Sequence, residues 1–245
     1  IFFIFYDIFI RSDSKNKTYQ IFDQKNIINN TPTFSKKLNQ DFFTKDDFIK
    51  IINKNINKNP INYLEVFKSI DKDNSCSFNM CNFDNTSNNF WKTDYDENKF
   101  VKINKFLKIK LSLENHNDLT GISLNNSFSN SGEDWYANSV NLFIGLRKNG
   151  KELYIDARKK TKESINIVDN LTVNVNTFYI YTDNKGQFFI ITDENNNIIY
   201  DFDLNKKTNN LFSEGLFPDS KVVFSYLIAP KSKLLLKELL VWNVD

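Results

Sequence analysis

Residues 106–113, FLKIKLSL, alternate strictly: Leu107, Ile109, Leu111 and Leu113 fall on one side, Lys108, Lys110 and Ser112 on the other. Side chains of a strand point to opposite faces with period two, so this pattern predicts a half-buried strand. Further apolar runs predict strands at 119–124, 140–146, 152–157, 165–168, 172–182, 186–192, 197–204, 221–229 and 233–243. Turn-forming clusters separate them, Asp183-Asn184-Lys185-Gly186 and Asp193-Glu194-Asn195-Asn196 among them. Asn149-Gly150 predicts a type I′ hairpin between 146 and 152, because that turn needs positive φ at both central residues.

Upstream the period changes. Phe42, Phe43, Phe48, Ile49, Ile51, Ile52 and Ile56 recur at helical spacing, with Thr44 as N-cap and Asp47 in the first turn. Pro60 ends this helix near Asn59 and suits the first turn of a second helix carrying Ile61, Leu64, Phe67 and Ile70. Residues 71–90 are polar, with Phe78 and Phe83 as apolar anchors. The expected fold is mainly β, an antiparallel sandwich of jelly-roll type, with a small N-terminal helical unit. The division falls near residue 91. Residues 1–90 hold an N-terminal strand and the helical unit, and 91–245 hold the sandwich.

The opening IFFIFYDIFI is too short, at about 20 residues needed, to span a bilayer and is broken by Asp7. It is expected as a buried strand, and as an assembly contact through residues 1–10 if nothing else covers it. No other stretch reaches transmembrane length.

Composition narrows the chemistry. The 32 basic and 30 acidic groups leave a net charge of +2, so no overall field selects nucleic acid. The single histidine, His116, lies in a polar turn, which excludes sites built on several imidazoles. Phosphate-cradling glycine loops are absent. Cys76 and Cys81 either close one short loop or remain thiols. The N-x-S/T triplets at Asn16, Asn29, Asn85, Asn125 and Asn170 are what chance produces in an Asn-rich chain, and say nothing of secretion.

Two stretches carry candidate site chemistry. In 63–82, YLEVFKSIDKDNSCSFNMCN, oxygen-bearing residues fall at positions 1, 3, 5, 7, 9 and 12 of a twelve-residue loop: Asp71, Asp73, Ser75, Ser77, Asn79 and Asn82. The stretch resembles an EF-hand, with FTKDDFIKII similar to the helix leaving an earlier hand. The resemblance implies a calcium site. Cys76 replaces the glycine of position 6, and Asn82 replaces the bidentate Glu of position 12, so the expected calcium binding is weak. No other cofactor is expected.

The second stretch is Gly132 to Asn138. Glu133, Asp134, Trp135, Tyr136 and Asn138 combine a flat aromatic face for a pyranose with groups for its hydroxyls. Phe90, Trp91 and Trp242 are expected as core or edge residues.

The segments VNLFIGLRKNGKELYIDAR (140–158), NTFYIYTDNKGQFFIITDENNNIIYDFDL (176–204) and LLLKELLVWNV (234–244) resemble the concanavalin A-like lectin/glucanase and laminin-G-like sandwiches in strand rhythm. That resemblance implies a non-enzymatic binding protein acting on a glycan or protein partner, outside the cell or at its surface. The glucanase branch carries its acids as E-x-D-x-x-E on one strand. Here only Asp201 and Asp203 share a strand face, so glycoside hydrolysis ranks behind binding. The remaining alternative is a structural subunit of a larger assembly.

Overall fold

The computed structural model describes residues 44–56, 59–71, 73, 75–77, 79–127, 140–159 and 164–245. The first helix, α1 (Lys45–Lys54), starts where Thr44 and Asp47 close a reciprocal capping box. Thr44 Oγ1 accepts from the Asp47 amide at 3.2 Å, and the Asp47 carboxylate accepts from the Thr44 amide at 3.1 Å. The Thr44 hydroxyl, at 2.7 Å, and the Thr44 amide both donate to the Asp47 carboxylate and hold it below the usual carboxylate range. The helix buries Phe48, Ile49 and Ile52.

Pro60 does not open the second helix. Ile61–Asn62 form a two-residue strand, β1, paired with Val241 and Leu240. Asn62 then caps α2 (Tyr63–Ile70), its side-chain oxygen accepting from the Leu64 amide at 3.1 Å. Asn is a strong N-cap, so the helix starts at the residue that satisfies an orphan N–H.

The strands that follow are β2 (Cys81–Asp84), β3 (Lys92–Asp94), β4 (Val101–Lys102), β5 (Phe106–His116), β6 (Thr120–Ser127), β7 (Val140–Arg147), β8 (Glu152–Arg158) and β9 (Ser164–Thr172). Then come β10 (Thr177–Asp183), β11 (Phe188–Thr192), β12 (Ile198–Asp203), a helical turn α3 (Leu204–Lys207), β13 (Lys221–Ile228) and β14 (Lys233–Val244). They make two antiparallel seven-stranded sheets. The first runs β1-β14-β5-β10-β11-β12, with β2 also on β14. The second runs β3-β13-β6-β7-β8-β9, with β4 also on β13. The expected antiparallel β-sandwich is therefore the fold.

Alternation places the core. Leu107, Ile109, Leu111 and Leu113 of β5 meet Ile122, Leu124, Leu142, Ile144, Ile155 and Phe224 of the other sheet in one buried cluster. Between the flanks of β14 and β13, α2 adds Tyr63, Leu64 and Phe67 to that cluster. Phe67 lies edge-on to both Phe83 and Tyr226, which stack on each other at 4.0 Å.

The β7–β8 turn falls at 148–151, as the sequence predicts, closed by the Lys151 amide on the Arg147 carbonyl at 3.1 Å. Lys148, Asn149 and Gly150 all have positive φ there. The apolar run at 172–182 is not one strand. It splits because β9 ends in the second sheet and β10 begins in the first, so residues 173–176 cross between sheets.

Candidate functional site

The flank of the second sheet is built on β13. One side of β13 pairs with β6, and the other carries β3 and β4 in succession. Cross-strand partners point the same way. Val101 and Val222 face the core, so Thr93 with Leu227 and Lys102 with Lys221 fall on the outer side. The same alternation puts Trp91 and Phe100 on that outer side. Phe90 is 60% exposed, Trp91 48% and Phe100 48%. Of the two readings the sequence left open for Phe90 and Trp91, core or edge, the core one is corrected: both rings stand in solvent, next to the end strand β3.

Asn85 is the reason. Its side chain is buried, and its amide donates to the carbonyls of Phe90 (2.8 Å), Ile228 (3.0 Å) and Ala229 (3.2 Å). Its oxygen accepts from the Ser87 amide at 3.1 Å. Ser87 Oγ accepts from the Phe90 and Asn89 amides, and the Ser87 carbonyl accepts from the Lys231 amide at 3.1 Å. These bonds tie the 85–90 turn to the end of β13. It holds two aromatic rings outward. Beyond Trp91, Lys92 binds the Asp73 carboxylate at 2.9 Å and the Asp84 carbonyl at 3.2 Å.

The rest of the outer face is a polar array that the sequence did not single out. The register aligns Ser225, Ser123, Phe143, Asp156 and Asn166 across five strands. A second row holds Val223, Asn125, Asn141, Arg158 and Ser164. Asn125 donates to Ser225 Oγ at 3.0 Å and the Val223 carbonyl at 3.1 Å. Tyr154 donates to Asn166 at 2.7 Å, and Arg147 lies 4.0 Å over the Tyr154 ring. Asp156 and Arg158 form a buried pair at 2.9 Å. Ser123, Asn125, Asn141, Asp156 and Ser225 are all buried, so this array organises the face rather than presenting it. The sequons at Asn85 and Asn125 have buried amides.

Glu133, Asp134, Trp135, Tyr136 and Asn138 lie outside the described residues. The connection that holds them leaves the sheet at Ser127 and returns at Val140, which pair with each other beside Asn125 and Asn141.

The loop after α2 leads into β2, a strand, where an EF-hand continues as a helix. Cys76 and Cys81 are joined by a disulfide, which settles the open choice between bridge and thiols. The Asp71 carboxylate accepts from the amides of Cys76 (2.8 Å) and Asp73 (3.1 Å). Lys92 holds the Asp73 carboxyl below its ordinary range. Ser75 is half-buried, Ser77, Asn79 and Asn82 are exposed, and the Ser77 hydroxyl donates to the Met80 carbonyl at 3.2 Å. Asn82 belongs to β2, paired with Leu235.

The two acids of β12 have partners of their own. Asp201 binds Lys45 at 2.5 Å, and Asp203 caps α3 through the Asn205 and Lys206 amides. On the outer face of the first sheet, Lys108 donates to Asn53 at 2.6 Å and lies over the rings of Tyr179 and Trp242. Burial and the neighbouring Lys110 charge push its pKa down.

No family model and no curated protein matches this chain. Among solved structures, the fold is similar to the metal-free carbohydrate recognition domain of Emp46p, at 11% identity and a TM-score of 0.44, over 69% of this chain and 85% of that one. It is also similar to the catalytic domain of an endo-1,3-beta-glucanase (laminarinase) from Thermotoga petrophila RKU-1, at 9% identity and a TM-score of 0.45, over 69% and 79%. A third is an ancestral congerin, at 12% identity and a TM-score of 0.35, over 60% and 98%. The likeness is one of two-sheet architecture, and function has to come from the chain's own residues.

Proposed function

We propose that this protein is a non-enzymatic glycan-binding module whose contact surface is the aromatic flank at Phe90 and Trp91. The carrying observation is that two large rings stand in water beside a turn that the buried Asn85 side chain ties to the end of β13. A flat apolar ring covers the C–H face of a pyranose, and adjacent polar groups receive the hydroxyls. Among the neighbouring residues of the turn, Asn88 and Asn89 carry exposed side-chain amides of that kind. A rigid ring loses little conformational freedom on binding, so its contact is not offset by ordering.

Glu133, Asp134, Trp135, Tyr136 and Asn138 are proposed as a second contact on their chemistry alone, a flat ring with carboxylates and an amide close in sequence. A glycan array and affinity electrophoresis against soluble polysaccharides test the main reading. Binding that falls at least about tenfold in Trp91→Ala, with an unchanged melting temperature, is the expected result. Binding unaltered by that substitution removes the flank as the site.

The exposed rings also suit a protein contact, because aromatic residues are enriched at interface hot spots. Light scattering separates this reading: a concentration-dependent oligomer dispersed by Trp91→Ala favours assembly over glycan binding.

A further inference from the structure

Along the β13 flank, charged residues and one exposed ring follow in a fixed order. β3 leaves β13 at Asp94, opposite Tyr226, and β4 rejoins it at Val101, opposite Val222. Residues 95–100 bridge that gap. The Lys99 amide closes a turn on the Asp96 carbonyl at 3.0 Å, and the Tyr63 hydroxyl donates to the Lys99 carbonyl at 2.7 Å. Asp94, Asp96 and Glu97 against Lys99 leave this stretch acidic. Burial, with the Glu97 and Asp94 charges, pushes the Tyr95 hydroxyl above its ordinary range. Phe100 follows, 48% exposed. Beyond it, Lys102 and Lys221 are direct cross-strand partners, both exposed on the outer side of the sheet.

Neither pole is neutralised within the described residues. Among them, none of Asp96, Glu97, Lys102 and Lys221 is in an ion pair. Register sets the two lysines opposite each other, and like charges in that position repel. Asp96 accepts from the Asn98 amide and side chain, which fixes the turn. The Asp219 carboxylate accepts from the Lys221 backbone amide and from the Asn126 side chain. Lys221 Nζ lies 4.9 Å from the Phe100 ring centroid, so the ring stands against the basic pole.

An acidic pole, an exposed ring and a basic pole in line make a self-complementary surface. A two-fold axis through the ring brings the acids of each copy to the lysines of the other. A small anion or cation would satisfy one pole, whereas a second copy satisfies both. The ring then packs on its own equivalent and leaves water.

We infer that this chain forms a two-fold dimer through the 96–102 flank, with Phe100 at the axis and Asp96 and Glu97 of each copy facing Lys102 and Lys221 of the other. The contact centres on one ring and four charges, so the dimer is weak and salt-sensitive. Trp91 lies at the Ala229 end of β13, six strand residues from the level of Phe100, about 20 Å. It stays outside the contact, and the dimer carries two copies of it. Dimerisation is independent of glycan binding.

Sedimentation velocity of the full chain, at low and high salt and up to about 0.5 mM, reads a dimer of this weak class. Two variants reverse one pole each. Asp96→Asn/Glu97→Lys keeps an acceptor for the Asn98 amide, and Lys102→Glu/Lys221→Glu keeps a like-charged pair across the strands. Each alone should dimerise at least about tenfold more weakly than wild type, because like charges then meet across the axis. Mixed in equal amounts, the two should form a heterodimer, since every reversed pole now meets its opposite. A misfolded variant would not be rescued in this way. Trp91→Ala should leave the dimer unchanged. A wild-type chain that stays monomeric overturns the dimer, as does a dimer that neither reversal weakens. A mixture that stays monomeric overturns the pairing of the poles. No glycan enters these measurements, so the dimer and the glycan reading fail separately.

Discussion

Asn85 and Phe90 are joined by a hydrogen bond from the Asn85 side-chain amide to the Phe90 carbonyl, at 2.8 Å. The same amide satisfies the carbonyls at the end of β13, so one buried side chain couples the position of the exposed rings to the edge of the sheet.

Asn85→Ala should therefore destabilise and impair binding together. Three carbonyls lose a donor in a buried setting, a loss of about 2 kcal/mol or more. For a chain of this size that lowers the melting temperature by roughly 4–8 °C. Asn85→Asp keeps an acceptor for the Ser87 amide but supplies no donor, and should be at least as damaging. Differential scanning calorimetry checks both. A melting temperature equal to wild type would show that the turn does not depend on Asn85.

The Cys76–Cys81 bridge closes a short loop between α2 and β2. Loop-closure entropy for so short a ring predicts a stabilisation of about 2 kcal/mol. Cys76→Ala should lower the urea midpoint accordingly, and a reductant should shift the wild type but not the variant. Thiol titration of the unfolded, unreduced chain should find no free thiol.

Asp156 and Arg158 pair on the outer face with the acid almost wholly buried. Removing one partner leaves the other charge in a poorly solvated place. Asp156→Asn should cost about 3 kcal/mol. Urea unfolding measures it. A loss well under about 1 kcal/mol would mean the pair is effectively solvated.

Alkaline pH should unfold the protein through its tyrosines. Burial raises the hydroxyl of Tyr181 to about 12, and burial raises those of Tyr63 and Tyr226 as well. Asp94, Asp71 and Asp73 add to the effect at Tyr226. In the unfolded chain these groups ionise near 10. Between the two values the unfolded state binds fewer protons, so stability is intact below about pH 10 and declines as pH rises toward 12 and beyond. Lys108 works the other way: its pKa is lowered, so raising the pH relieves a penalty, but the raised Tyr95 and Lys110 act with the other tyrosines against it. Phenolate absorbance and circular dichroism should therefore change together above pH 10. Complete tyrosine ionisation before any loss of structure would contradict this.

Much of the architecture was legible in the chain. The alternation of 106–113, the capping pair Thr44 and Asp47, and the turn at Asn149-Gly150 are local signals, and each acts over a few residues. Backbone sterics and period-two burial need no distant partner. Where the reading went astray, a distant partner decided. Pro60 lost the helix start to Asn62 because β14 offered Ile61 and Asn62 an edge to pair with. The run at 172–182 broke because its two halves serve different sheets.

The candidate site shows the division most clearly. Phe90 and Trp91 have the composition of core residues, and only the bonds from Asn85 to Ile228 and Ala229 put their rings in water. The facing of Lys102 and Lys221 is a matter of register between segments over a hundred residues apart. The sequence by itself determined the sandwich, through periodic burial that each strand carries alone. Only the tertiary structure decided which aromatic rings and charges share a surface, because hydrogen bonds and strand register between remote segments set that arrangement.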